Sequence, residues 1–215
     1  LEKLFTVCNT KISMARMRVS DWATAYEIFL STNTKHVPLS LADAVRAMIL
    51  SQLQDENEMA QAVDNLDTVS NNIAQSEQGK FIRWHWISRN AEKQSAPSIA
   101  KLFANKIRDS DAQELLSITS DIASDVVHYN SVMNPEENTE FGLNRRAFLD
   151  CKVRQHIPLL MSMERAGYNA EDKKLVHDLV ESLFIVHSEV RSGSPSKYEA
   201  LFAEASGGVN EENGA

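Results

Sequence analysis

Glycine and proline are scarce, with seven and five in 215 residues. An all-β fold needs many tight turns, and tight turns draw on those two residues, so the scarcity argues for helices. Cysteine is scarcer still. Cys8 and Cys151 are the whole complement, too few for a disulfide framework. They read as two small buried hydrophobes in a reducing compartment, which makes the expected location cytoplasmic. No apolar run approaches the ~18 residues of a membrane span, and no charged-then-apolar leader is present, so neither a membrane partner nor a signal peptide is expected. Positive charge is also in deficit. The 22 Lys and Arg against 30 Asp and Glu give a net charge of -8, which argues against a wholesale basic surface and leaves room for a local one.

The absences extend to chemistry. There is no GxSxG elbow, no GxxxxGK[ST] phosphate loop, no GxGxxG turn, no HExxH, no CxxC and no paired ExxH motif. Catalytic residues, a metal and cofactors are all read as none, and a non-enzymatic protein is favoured. Two carboxylate–histidine pairs share helical faces, Asp125 with His128 and His177 with Glu181. An enzyme whose site is assembled from distant helices would draw on them, but single pairs of this kind are common by chance.

What is present is helical periodicity. The apolar fraction of 43% suffices for a core in a chain of this length. Leu1 to Met17 and Trp22 to Leu30 recur at helical spacing. Ser40 caps a pattern from Leu41 to Ile73 that slips phase near Asp55–Asn57, with Gly79 as its stop. Pro97 and Ser98 open another helix, and Ser110–Gln113 has the capping-box pattern. The stripe that follows over 111–133 predicts the central core helix. A helix over 143–167 should break at Pro158, and Gly167 and Asn169 punctuate the next one, whose stripe is Val176, Leu179, Val180, Leu183, Phe184 and Val186. A short helix over 197–205 precedes a Gly-, Asn- and Glu-rich tail over 206–215 that reads as mobile. The fold expected is therefore all-α, a compact bundle of about eight or nine helices in one domain over 1–205. A softer division near 94–97 would give two helical lobes.

The sharpest local contrast is Lys80–Lys93. Phe81, Ile82, Trp84, Trp86 and Ile87 are threaded with Lys80, Arg83, His85, Arg89 and Lys93, against one acid, Glu92. The segment over 40–79 before it has seven acids and one base. Such rings could stack on bases while the cations neutralise phosphates. The same residues could instead anchor an acidic protein, or the rings could be core and the cations snorkel to solvent. A second cationic cluster comprises Arg145, Arg146, Lys152, Arg154 and His156, with Arg145, Lys152 and His156 spaced to share a helical face. Lys11, Arg16 and Arg18 form a weaker third.

These features together predict a helical binding or assembly protein. It would hold RNA or an acidic protein through local basic–aromatic surfaces, in the manner of a nucleoprotein or coat subunit, and could form a homo-oligomer. The alternative is a protein–protein or regulatory scaffold domain with an exposed apolar patch around Met14, Met17 and Trp22.

Overall fold

A computed structural model describes residues 40–135, 140–186 and 195–212, together with Arg18 and Ile28. The expected helices over 1–30, the Met14–Trp22 patch, Lys11, Arg16 and the loop at 136–138 lie outside these residues.

Ser40 opens α1, Leu41–Leu50. Its hydroxyl accepts from the Asp43 amide at 3.1 Å, and the Asp43 carboxylate accepts from the Ser40 amide at 3.1 Å, so each satisfies an orphan donor of the other. The pattern that continued past Leu50 is a separate helix, α2, Glu56–Asn72, with the Asp55 carboxylate accepting from the Asn57 and Glu58 amides. Leu53 is buried in the connection. The next break falls at Ile73–Ala74, where the backbone is extended, and not at Gly79. Gly79 lies inside α3, Gln75–Asn90, against the start of α1, where an added Cβ would stand 3.5 Å from the Leu41 amide nitrogen.

Helix α4, Ala96–Asp109, is capped by Ser95, with Pro97 in its first turn. Helix α5 spans Ala112–Met133, and its cap is Asp111, which accepts from the Glu114 amide at 2.9 Å. The expected Ser110–Gln113 box does not form, because the Ser110 hydroxyl donates back to the Lys106 carbonyl and finishes α4. The predicted break before Pro158 is present. Helix α6, Glu140–Asp150, ends in a turn with Lys152 at φ 60°, and α7, Ile157–Arg165, carries Pro158 in its first turn, where no amide donor is needed. Gly167 takes φ 74°, and Asn169 caps α8, Ala170–Phe184.

Helix α9 runs over Pro195–Glu212, further than expected. The mobile-tail reading is corrected over 206–212. Ser206 is fully buried, and an added Cβ on Gly207 would come within 2.8 Å of the Ala91 Cβ. The glycine that suggested disorder lets α9 cross close over the end of α3. Cys151, read as buried, is exposed in the turn after α6.

The described residues hold nine helices and no strand, an all-α bundle. None of these helices is long and apolar enough to cross a membrane. A single core cluster draws on residues from Leu41 to Ala203, and it includes Ile99, Phe103 and Ile107 from beyond the 94–97 division. Helix α5, expected at the centre, packs against α2 and α7, but α3 is the more enclosed element, with α1, α7 and α9 around it and α2, α4 and α5 also touching it. Phe81, Ile82, Trp84, His85, Trp86, Ile87 and Ser88 are all buried. At 100° per residue such a run faces inward on nearly all sides.

Candidate functional site

The aromatic–basic strip is thus the middle of the bundle. Trp84 is 5% exposed and stacks on Tyr129 at 5.9 Å between ring centres, and Trp86 is 9% exposed and meets Phe103 edge to face at 4.7 Å. Neither indole offers an open face for a base. The cations around them have acids: Lys80 pairs with Glu77 at 2.8 Å, Lys93 with Glu199 at 3.7 Å, and Arg83 with Glu199. Arg83 also donates to the Gln94 carbonyl at 2.8 Å.

The second cluster is dispersed. The expected shared face of Arg145, Lys152 and His156 does not form, since α6 ends at Asp150, Lys152 lies in the following turn, and His156 precedes α7. Arg145 is buried and donates to the Ser131 carbonyl at 3.0 Å. Arg146 stands exposed within 3.5 Å of Asp150. Arg154 reaches Glu77 at 3.0 Å, so the two cationic clusters meet across the carboxylate that also holds Lys80.

His85 and Arg89 converge on a residue of another helix, Asp125, whose side chain is fully buried. One carboxylate oxygen lies 2.7 Å from His85 Nδ1 and accepts from Arg89 Nε at 2.9 Å; the other accepts from the Arg89 fork at 3.1 Å. Arg165 of α7 donates to the same carboxylate at 3.2 Å and to the Ser88 carbonyl at 2.9 Å. Asn210 of α9 accepts from Arg165 at 3.1 Å and donates to the Ser88 carbonyl at 3.0 Å. Asp121, 3.2 Å from Arg89, supplies a second negative charge. Two carboxylates and two guanidiniums therefore balance, and one buried node ties α3, α5, α7 and α9 together.

The chemistry of this node is that of a tie. Burial opposes the charge on Asp125, but the bonds from His85 and Arg89 prevail and hold its carboxyl well below the usual range. Burial pushes the His85 imidazole down, against the pull of Asp125. The Ser88 hydroxyl donates to the His85 carbonyl and accepts from Arg165. The His128 ring, read as a partner of Asp125, is half-buried, and burial lowers its pKa. No sequence signal distinguished Arg165 and Asn210, because they reach this node from helices remote in the chain.

Helix α8 shows the opposite arrangement. Its inner side is seated by His177 and Val180, with Phe148 of α6 against His177 at 5.2 Å and against Phe184 at 5.6 Å. His156 meets His177 edge to face at 5.8 Å. Burial, with Arg145 nearby, pushes His177 down to about 4. Burial, then His177 and Arg145, push His156 down to about 3. Both rings are neutral at neutral pH. The outer side is apolar: Leu175 is 62% exposed, Leu179 56%, Leu183 42% and Val186 48%. Leu175, Leu179 and Leu183 follow in steps of four along one side of α8, and Val186 continues the line just past the helix end, beside Ile185, itself 49% exposed. Asp172 lies in line with that stripe at its N-terminal end, and Glu171 beside it. Met59, Val127 and Leu201, large exposed apolar residues elsewhere among those described, stand singly on three other helices.

Compared with known proteins, the chain matches no family model and no curated protein sequence.

Proposed function

We propose that this chain is a non-enzymatic helical docking module, and that the outer face of α8 receives an amphipathic helix of a partner protein whose apolar stripe is flanked by Lys or Arg. The observation that carries the reading is the four-residue stripe at Leu175, Leu179, Leu183 and Val186, left facing solvent on a helix whose other side is seated. Scattered exposed apolar residues are ordinary, but a contiguous row rimmed by polar groups marks an interaction surface. The reading that RNA or another polyanion is held by the strip has less support. Its rings are buried, and Arg83, Arg89 and Lys93 have carboxylate partners.

Charge argues for the partner's chemistry. Glu171 and Asp172 are acidic at the start of the stripe, while Asp178 is met by Lys174 at 2.8 Å. In an antiparallel pairing of two copies centred on Leu179, Asp172 of each would fall against Val186 of the other. A carboxylate pressed against an apolar side chain loses water without gaining a partner. A basic residue on a different protein's helix supplies that partner and speeds association.

The test uses two labelled peptides with the same four leucines in steps of four, four and three, one flanked by Lys and one by Glu. Fluorescence anisotropy should show the Lys peptide binding, with Leu179→Asp weakening it by at least about tenfold. Equal binding of the Glu peptide, or no effect of Leu179→Asp, would overturn the proposal. So would dimerisation through α8 in sedimentation. Tight binding of single-stranded RNA that is lost on Lys152→Glu and unchanged by Leu179→Asp would restore the polyanion reading.

A further inference from the structure

The seated edge of α8 carries a second feature, independent of the docking face. His177 is fully buried, and Asp178 and Glu181 are half-buried beside it. One ligand atom from each of the three lies within 4.8 Å of the other two. Donors around a four-coordinate ion at ~2.1 Å stand about 3.4 Å apart. Closing the gap asks for side-chain rotation of two half-exposed carboxylates and no movement of the helix. The imidazole that would anchor the ion is held by its edge contact with Phe148.

A fourth donor comes from another part of the chain and, lying outside that group of three, would move toward it on binding. His156 is 2% exposed, and its Nδ1 is buried without a hydrogen-bond partner. Its ring centre is 5.8 Å from that of His177. Two imidazoles sharing one tetrahedral ion have ring centres about 5 Å apart. Buried polar nitrogens are normally satisfied, so an orphan beside a second imidazole asks for an explanation, and an ion supplies one.

We propose that His177, Asp178 and Glu181, with His156 as the fourth donor, form a binding site for zinc or a similar divalent transition-metal ion. Two nitrogens and two carboxylate oxygens suit zinc or cobalt and fall short of the oxygen number that calcium or magnesium requires. The two carboxylates neutralise the ion. Binding would displace Lys174 from Asp178, now at 2.8 Å, and would oppose the positive charge of Arg145 close by. The consequence is mechanical: α8 becomes pinned to the start of α7. This site stands whether or not the outer face docks a helix.

The experiment starts from protein stripped with EDTA. Zinc chloride is titrated by calorimetry and cobalt chloride by visible absorption, with thermal melting in parallel, on the wild type and on the Asp178→Asn/Glu181→Gln variant. The expected result is one ion per chain, a four-coordinate cobalt spectrum and a higher Tm with zinc. The double variant should weaken binding by about a hundredfold and lose the rise in Tm. If the double variant melts early even in EDTA, Glu181→Gln alone carries the comparison. Equal binding by wild type and variant would assign the ion to histidines elsewhere and overturn the site. So would the absence of binding, or binding that leaves Tm unchanged.

Discussion

Helices α3 and α8 carry opposite sequences and sit the opposite way round. Helix α3 mixes tryptophan with arginine and lysine and is enclosed by other helices, while α8 has a clean apolar stripe of which Leu179, Leu183 and Val186 face solvent. A cation can lie beside a core if an acid waits for it, and Asp125, Asp121, Glu199 and Glu77 wait for those of α3. A leucine reaches the core only if another element covers it, and among the described residues nothing covers Leu175 or Leu179. What decides the position of a helix is the partners folded against it, which its own sequence does not contain.

The hardest blow to this comparison would come at Asp125. Asp125→Ala leaves His85, Arg89 and Arg165 around an uncompensated gap at the junction of α3, α5, α7 and α9. Removing one partner from such a buried charge node costs about 3–5 kcal/mol, a large share of the stability of a domain of this size. Urea unfolding followed by tryptophan fluorescence should show the loss in both midpoint and early exposure of Trp84 and Trp86. A loss below about 1 kcal/mol would be no more than an ordinary substitution produces, and α3 would then not be held as described.

The seat of α8 should respond to acid before the Asp125 carboxylate does, and His85 of the node and His128, which burial also pushes down from 6.5, respond in the same early stage. The folded state holds His156 at about 3 and His177 at about 4, while in the unfolded chain each takes up its proton near 6.5. Stability is therefore complete above pH 6.5 and falls with pH below it, down toward the folded values. These two groups contribute up to roughly 2.7 kcal/mol per pH unit to the slope. Arg145 and Lys174 disfavour protonation and Asp178 favours it. The Asp125 carboxylate is depressed, so its contribution is lost only at lower pH, as the pH falls below its ordinary value and through the folded one. Urea midpoints between about pH 7.5 and about pH 4.5, with EDTA present, should show the early stage. His156→Leu should lower the slope by up to about 1.4 kcal/mol per pH unit, at a cost of about 1 kcal/mol at neutral pH. An unchanged slope would mean that the two rings are not buried together.

The contrast also explains how far the sequence could be read. Ser40, Asn169, Gly167 and Pro158 mark helix ends by their own backbone and side-chain chemistry, and each does so in the fold. Gly79 misled because a glycine inside a helix looks the same in sequence as one that ends it, and Gly207 because a glycine that admits a neighbouring helix looks the same as one that loosens a tail. The strip's rings and cations were visible, but the acids that settle their direction come from far along the chain, such as Asp125 for Arg89 and Glu199 for Arg83. His177 and Glu181 were legible as a pair on one turn, whereas the approach of His156 was not, since the turn at Lys152 redirects the chain between them.

The smallest expected effect on stability belongs to the outer face of α8, and it is the most discriminating. Leu179→Asp replaces a side chain already 56% exposed. Such a change should shift stability by no more than about 0.5 kcal/mol, because little apolar area leaves the core. Val180→Asp, one residue on, buries a carboxylate at a position 2% exposed, and should cost several times more. Urea titration of the pair at neutral pH reads the difference directly. A large loss for Leu179→Asp would place that leucine under cover in solution, and the face would then be part of the fold and closed to a partner. A small loss beside a large one for Val180 fixes the boundary between seat and surface to a single helical step, which is what the proposed docking face requires.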